Sequence, residues 1–253
     1  MGADLLKAHL NLGAVLQNLE DLPGLDPEAA AICGDWNISV QFTVMGGPSA
    51  WLEYKGGSCR HGAGAHAAPD VRLGFVSPAH LNRMFDGRGM PVPLKGFGRL
   101  GFLKNDFPKI TARLEHYLKP GPQAKRDEAF VRARTTLLLH TAAHAVRELA
   151  RLEPVCRKVA AGTPHGTLQI SLSPEGPHAW VKYGPQGVEA GKGAAEHPSA
   201  RMIFRDINAA AVLLNNQVDG FTAIGRGDLA ISGLIPLVDN TSLIMDRVEK
   251  YLS

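Results

Sequence analysis

The chain has 253 residues, enough for two domains of about 100–130 residues with separate cores. Its net charge of +3 is weak for a nucleic-acid-binding protein, so we expect no nucleic-acid partner. No run of residues approaches the ~20 apolar positions of a transmembrane helix, and the three scattered cysteines form neither a CxxC pair nor a disulfide framework, which indicates a reducing, cytoplasmic location.

The first half of the chain has the pattern of a small domain with helices and strands. An apolar stripe over 4–20 predicts a helix, and WNISVQFTV and AWLEYKG predict two strands joined by a hairpin turn at Gly46-Gly47-Pro48. VRLGF at 71–75 alternates like a half-buried strand. A helix follows, with Ser77 as its N-cap and Gly87 after its end. GRLGFL at 98–103 predicts another strand, and 106–118 predicts a closing helix.

A Pro-, Gly- and charge-rich linker at 121–128 separates a first module, 1–120, from a second, 129–253. The second module begins with a long helix at about 129–153, whose apolar residues Leu137, Leu138, Val146 and Leu149 need burial, so we expect it to pack on the second sheet. GDLAIS at 227–232 predicts a strand, and 239–252 predicts a closing helix.

The two halves are copies of one pattern. An offset of 129 residues pairs Trp51 with Trp180 and Phe75 with Phe204, and the same offset matches Gly96, Gly98 and Leu100 to Gly225, Gly227 and Leu229. RLEHYL at 113–118 matches RVEKYL at 247–252 at an offset of 134, so we expect five extra residues in the second copy, near 234–243. The fold class is therefore α+β, as a tandem duplication of one module with a mostly antiparallel sheet.

Each half resembles the sterol carrier protein-2 family of lipid-binding domains. The resemblance rests on the aromatic strands AWLEY and AWVKY, on the strand and capped helix of APDVRLGF and SPAHLNRMF, and on GFGRLGFL and GRGDLAISG. The first copy departs from the family pattern at FLKND (102–106), which lacks the glycine that usually follows the strand; the second copy keeps this glycine as Gly233. The second copy departs from the pattern at Ser199, where an Asp usually precedes the next strand. The resemblance implies a five-stranded sheet packed with helices, an apolar tunnel, and no cofactor or catalysis.

The leading hypothesis is therefore non-catalytic binding or transfer of an apolar ligand such as a fatty acid, acyl-CoA or a sterol-like lipid. The candidates for the cavity lining are Trp51, Phe75, Met84, Phe85, Phe97, Phe102, Phe107, Trp180, Phe204, Leu213 and Leu214. A filled core has the same apolar pattern as a cavity wall. Strand alternation puts Trp51 on the face opposite Leu52 and Tyr54, towards a covering helix or solvent rather than a tunnel.

Charge differs between the copies and predicts a preference for an anionic head group in the first one. Arg88, Lys95 and Arg99 stand where the 129-residue offset places Gln217, Ile224 and Asp228. A solvated surface is the alternative explanation for these cations.

Other functions remain open at the level of sequence. One alternative is an assembly module without catalysis. Another is a metal-dependent enzyme using His140 and His144, which lie one helical turn apart, although HTAAH lacks the Glu of the HExxH pattern. The two Gly-x-Gly segments, at 62–64 and 191–193, favour turns over phosphate loops because a new strand follows each. Six basic residues around the long helix favour either transient contact with an anionic membrane or a solvated face: Arg132, Arg134, Arg147, Arg151, Arg157 and Lys158.

Overall fold

The computed structural model describes residues 2–124, 127–173, 175–215 and 217–252, and the chain divides after Ala124 into two compact units. Each unit has a five-stranded sheet packed with helices. Within those described ranges, no helix combines the length and the apolar character that crossing a membrane requires.

The first unit opens with helices, continues with four strands, and closes with a helix, a strand and a final helix. A π-helical turn, Asn11–Val15, and a 3-10 turn, Leu16–Glu20, follow the first helix. A 3-10 turn, Phe97–Arg99, and a π-helical turn, Phe102–Asp106, precede the last one. Its elements are α1 Ala3–Leu10, α2 Leu22–Leu25, α3 Pro27–Cys33, β1 Asn37–Val44, β2 Ser49–Lys55, β3 Ser58–Ala63, β4 Val71–Phe75, α4 Pro78–Phe85, β5 Val92–Lys95 and α5 Phe107–Leu118.

The second unit follows the same plan with one additional helix before its last strand. Its elements are α6 Glu128–Leu152, α7 Pro154–Ala161, β6 Gly166–Leu172, β7 His178–Gly184, β8 Gly187–Lys192, β9 Ala200–Phe204, α8 Ile207–Leu214, α9 Gly220–Gly225, β10 Leu229–Gly233, α10 Ile235–Met245 and α11 Glu249–Leu252.

The two sheets have the same topology. The strand order is β3-β2-β1-β4-β5 in the first unit and β8-β7-β6-β9-β10 in the second. The pairs β1–β4 and β6–β9 are parallel, and the other neighbours are antiparallel. The strand registers agree: Trp51 lies opposite Gln41 in the first sheet, and Trp180 lies opposite the equivalent Gln169 in the second. Phe75 and Phe204 are the last residues of the equivalent strands β4 and β9. The predicted duplication and the α+β fold class are therefore confirmed.

Strand alternation gives each sheet one core face and one outer face. In the first unit Phe42, Leu52, Tyr54, Leu73 and Phe75 share the core face and are fully or almost fully buried. On the second sheet, Ile170, Val181, Tyr183, Met202 and Phe204 occupy the corresponding face. The predicted helix caps also form: Ser77 and Asp206 each accept the amide of the residue three positions on.

The long helix α6 packs against β7 and β8 of its own unit, as its apolar pattern predicted. Leu137, Val146 and Leu149 are completely buried, and Leu138 is half-buried. The burial of these side chains, rather than helix propensity alone, stabilises an element of this length.

Each unit joins the helix before its sheet to the closing segment of that unit through an ion pair between a buried carboxylate and a partly exposed arginine. In the first unit Asp26, the N-cap of α3, accepts the Arg113 guanidinium at 2.6 Å. In the second, Glu153, the N-cap of α7, accepts Arg247 at 2.6 Å. Both arginines belong to the matching RLEHYL and RVEKYL segments, so the repeat preserves an interaction as well as a pattern.

The end of the first unit differs from its prediction. GRLGFL at 98–103 is not a strand: helical turns occupy most of it, and the strand is β5 at 92–95. Gly96 ends β5 with φ +87°, and Gly233 ends β10 with φ +86°. A Cβ added at Gly96 would meet the carbonyl of Asp70, and a Cβ added at Gly233 would meet the carbonyl of Ser199. Asp70 and Ser199 are equivalent positions at the 129-residue offset. The glycine that the first copy was expected to lack is therefore Gly96.

This equivalence relocates the insertion. Gly96 and Gly233 are 137 residues apart, which is eight more than the offset of 129. The second copy therefore has eight extra residues before β10, in the region of α9, and the predicted insertion near 234–243 is wrong. The matches of Gly96, Gly98 and Leu100 to Gly225, Gly227 and Leu229 were therefore coincidental. Lys95 lies on a strand whereas Ile224 lies on α9, so they are not equivalent positions, and Arg99 and Asp228 are not equivalent either.

Candidate functional site

Trp51 and Trp180 lie on the outer faces of their sheets, away from the core. The Trp51 ring covers Gly62 of the neighbouring strand, where an added Cβ would come within 2.2 Å of the indole. His66 approaches the same ring edge-on at 5.1 Å. Trp180 covers Gly191 in the same way. The repeated Trp and Gly residues thus form a surface-packing pair and do not line a common cavity with Phe75 and Phe204.

A buried glutamine holds the connection from β3 to β4 over this outer face. The Gln41 amide donates to the carbonyls of Ala50 and Gly64 at 3.0 and 3.1 Å, and its oxygen accepts the His66 amide at 2.6 Å. Gln169 makes the matching bonds to Ala179 and Ala195. Each Gly-x-Gly segment begins on an edge strand, β3 or β8, and only its last glycine, Gly64 or Gly193, lies in the crossover connection as the predicted turn required.

The apolar residues that lead into the core lie at the closing end of the first unit. Phe97 is 63% exposed, Phe102 and Phe107 are half-buried, and Phe42 on the core face is fully buried. The Phe102 and Phe107 ring centroids are 6.0 Å apart, and Phe107 lies 6.3 Å from Phe42. Trp36 contacts Phe102 edge-on at 4.8 Å. Adjacent aromatic rings therefore connect the surface with the core face of the sheet.

We name this region the apolar mouth and define it by Phe97, Leu100, Phe102, Leu103 and Phe107. It contains the π-helical turn at 102–106, a geometry that is rare and often found at functional sites. The sequence identified Phe97, Phe102 and Phe107 but not Leu100 and Leu103, nor Trp36, which contacts the mouth from outside its definition. Trp36 stands directly before β1, and Leu100 fell in a segment interpreted as a strand.

The equivalent end of the second unit is closed differently. There α10 packs against α6 and α7 and also against β6, β9 and β10, and it buries Leu237, Val238 and Ile244. In the first unit α5 packs against the π-helical turn at 102–106, α3 and the turn at 16–20. The closing helix thus covers the second sheet directly, whereas the first sheet meets the aromatic side chains of the mouth.

The other cavity candidates are divided among several environments. Phe75 and Phe204 are buried on the two core faces. Met84 and Phe85 on α4, and Leu213 and Leu214 on α8, are half-buried. Among the predicted lining residues in the part of the chain that the structure describes, a ring contact joins Phe102 with Phe107, and Phe97 lies exposed in the helical turn that precedes them.

The three head-group candidates are all exposed but lie at two places. Arg88 pairs with Asp86 at 3.3 Å, beside the end of α4. Lys95 donates to the Pro69 carbonyl at 2.5 Å, near Asp70. Hydrogen bonds from Ser39, together with the charges of Arg99 and Lys95, hold the pKa of Asp70 below its usual value. Arg99 belongs to the helical turn that carries Phe97, so it is the candidate nearest to the mouth in the chain.

A small open cleft lies elsewhere on the first unit. Its volume is about 200 Å³, below the ~300–1,000 Å³ of typical small-molecule pockets. Polar and charged side chains contribute much of its lining, which comprises Asn37, Ile38, Ser39, Glu53, Tyr54, Lys55 and Asp70. It shares no residue with the predicted lipid-cavity set.

The long helix offers no metal centre. His140 and His144 are both buried, and His140 Nε2 lies 3.2 Å from the carbonyl of His178. Across the ranges that the structure describes, no three His, Cys, Asp or Glu side chains cluster to hold a metal ion. Of the basic residues around this helix, Arg147 and Arg151 pair with Glu148.

Burial raises the pKa of tyrosine and cysteine side chains beside the sheets. Burial and the neighbouring Cys59 raise the pKa of Tyr54 well above its usual value. Burial raises the pKa of Tyr183 to about 12, although its bond with Thr241 opposes the shift. Burial and the carboxylate of Glu153 raise the pKa of Cys156 to about 12. These groups stay protonated at neutral pH and support no nucleophilic role.

No protein-family model matches the chain. No curated protein matches it. Among solved structures, the ubiquinone synthesis protein UbiJ-SCP2 is 15% identical with a TM-score of 0.32, and the match covers 40% of this chain and 90% of that one. The sterol carrier protein domain 2 of Helicoverpa armigera is 10% identical with a TM-score of 0.35, covering 44% and 87%.

Palmitated SCP2L2 from Aedes aegypti is 15% identical with a TM-score of 0.27, covering 38% of this chain and 92% of that one. The names of these three solved structures all refer to the sterol carrier protein-2 domain.

Proposed function

We propose that the protein is a non-catalytic binder of an apolar ligand with a long acyl chain, and that the apolar mouth of the first unit admits that chain. The observation that supports this most directly is the series of aromatic contacts from half-buried Phe102, through Phe107, to buried Phe42. An acyl chain inserted along this path replaces water with aromatic and aliphatic surface.

The energetics of such a ligand require no directional chemistry. Burying a methylene group contributes about 0.8 kcal/mol, so a chain of about sixteen carbons gains roughly 12 kcal/mol before the cost of ordering it. The buried groups beside the sheets, with their protonated thiols and phenols, agree with a binding role.

The head group is assigned to the cation nearest to the mouth. Lys95 already donates to the Pro69 carbonyl, and Arg88 lies beside Asp86, so Arg99 is the candidate for a carboxylate or phosphate. A charge-assisted hydrogen bond there contributes about 1.5–3 kcal/mol when it is partly desolvated.

Titration of a fluorescent fatty acid against the full chain tests the proposal. Replacing Phe102 by Ser removes apolar contact worth about 1.5–3 kcal/mol, so we expect binding to weaken about 10- to 100-fold. Leu213→Ser is the matched control, since Leu213 is also half-buried but belongs to the second unit.

Circular dichroism must show that both variants are folded. Unchanged affinity in Phe102→Ser, or a larger loss in Leu213→Ser, would exclude the mouth as the binding site. Arg99→Gln should weaken binding of the fatty acid more than that of the corresponding fatty alcohol, and equal losses would remove the head-group assignment.

A further inference from the structure

An exposed apolar surface follows the edge strand β5 of the first unit. Val92 and Leu94 project to the same side of the strand, where Leu94 covers Gly74 on the outer face of the sheet. Met90, which is 80% exposed, precedes them. We name this surface the β5 strip and define it by its exposed side chains, Met45, Val76, Met90, Val92 and Leu94.

Hydrogen bonds fix the Met90 end of the β5 strip. The amide of Val76 donates to Nδ1 of His80 at 3.3 Å, and Nε2 of the same ring lies 2.8 Å from the Met90 carbonyl. The ring satisfies both bonds when Nδ1 accepts from Val76 and Nε2 donates to Met90. Met45 donates its amide to the Phe75 carbonyl at 2.8 Å. The exposed side chains at this end are therefore carried by an anchored backbone.

The chain around the β5 strip is strongly basic. Residues 83–104 contain five Lys or Arg and one Asp. All five cations are exposed: Arg83, Arg88, Lys95, Arg99 and Lys104. Asp86, the one acidic residue of this segment, pairs with Arg88 at 3.3 Å and with Lys7 at 3.2 Å. An apolar surface bordered by an excess of exposed cations thus characterises this edge of the first unit.

The corresponding part of the second unit exposes apolar side chains without this charge. Phe221 and Ile224 on α9 are 89% and 43% exposed, yet 217–234 contains one Arg and two Asp. Large exposed apolar patches mark interaction surfaces, and the surrounding charge indicates the kind of partner. The two units therefore present apolar surfaces of similar exposure and different charge.

We propose that the β5 strip docks the protein on an anionic phospholipid membrane. Its apolar side chains enter the head-group region, and the flanking cations meet lipid phosphates. A two-fold interface between copies would bring the same basic residues together and is disfavoured by repulsion. This inference goes beyond the proposed function, because docking requires no occupied mouth.

Sedimentation of the full chain with vesicles tests the proposal. We expect binding to phosphatidylcholine vesicles that contain phosphatidylglycerol, little binding to phosphatidylcholine alone, and weaker binding as salt rises. Met90→Ser with Leu94→Ser should abolish most binding. Arg83→Gln with Lys104→Gln should weaken it about fivefold for each cation removed.

Phe221→Ser with Ile224→Ser is the matched control, because it removes equally exposed side chains from the second unit. Equal binding to both vesicle types, a loss in the control as large as in Met90→Ser with Leu94→Ser, or no effect of either strip variant would overturn the proposal. Absence of vesicle binding together with concentration-dependent self-association would overturn it in favour of a second copy.

Titration with a fatty acid in the absence of vesicles keeps the two proposals separate. The Met90 and Leu94 variant should retain its affinity for the fatty acid, since neither residue belongs to the apolar mouth. Vesicle binding without fatty-acid binding would contradict the proposed function alone. Fatty-acid binding without vesicle binding would contradict the docking surface alone.

Discussion

Replacing Arg247 by Met removes the cation that faces the buried carboxylate of Glu153. Burial opposes ionisation of this carboxyl, but the Cys156 amide and the Arg247 guanidinium outweigh it and lower its pKa from 4.5 to about 2. The corresponding stabilisation has an upper limit of about 3.4 kcal/mol at neutral pH. Because solvent reaches the Arg247 side chain, which is 29% exposed, we expect a loss of about 2 kcal/mol.

The pH dependence of this loss follows from the direction of the shift. A lowered pKa stabilises the folded unit fully above about pH 4.5, and this contribution disappears as the pH falls towards about 2. The difference in unfolding free energy between the native chain and Arg247→Met should therefore shrink from about 2 kcal/mol at pH 7 to about 1 kcal/mol at pH 3.

Urea unfolding followed by Trp180 fluorescence, in a background with Trp36 and Trp51 replaced by Phe, reports on the second unit. Arg205→Met is the matched control, since Arg205 also pairs with carboxylates of this unit, Asp206 and Asp228, but at its exposed surface. Its effect should be much smaller. Equal losses in the two variants, or a loss for Arg247→Met that is the same at pH 7 and pH 3, would refute the reasoning.

Three further outcomes test the packing. Gly62→Ala places a Cβ against the Trp51 ring and should lower the free energy of unfolding by about 1–3 kcal/mol, measured by thermal unfolding. Gly98→Ala is the control, because a Cβ there meets no atom within 4 Å. Equal effects of the two variants would contradict the Trp–Gly pair. Gln169→Ala should accelerate amide exchange at Ala195, while Gln186→Ala on the surface should leave it unchanged. Cys156, with its pKa raised to about 12, should resist iodoacetamide at pH 8 until urea unfolds the unit, and native labelling would show that it is accessible.

The duplicated strands could be predicted because their signals are local. Trp51 and Trp180 each follow a hairpin turn, and alternation alone favoured an outer position for Trp51. The caps at Ser77 and Asp206 were also recognisable from one residue type at one position. Such features depend on a few adjacent residues, so a single sequence contains them.

The closing end of the first unit could not be predicted in the same way. β5 contains Pro93, and a proline argues against assigning a segment as a strand, although an edge strand such as β5 tolerates it. GRLGFL alternates like a strand, but its apolar residues lie in helical turns. The path from Phe102 to Phe42 depends on contacts across 60 residues of chain, and no periodicity records them.

The parallel pairing of β1 with β4 has a consequence for how the chain folds. β1 is synthesised first and gains β2 at once, but 26 residues separate its last residue, Val44, from Val71, the first of β4. During that interval one side of β1 is open. One side of β6 is open in the same way until β9 is made, and β4 of the first unit, which has the same parallel geometry as β9, already exists by then. Tandem repeats are prone to this kind of misassembly. The core-facing side chains that differ between the two strands, Val71 and Leu73 against Ala200 and Met202, favour pairing of each central strand with the partner from its own half.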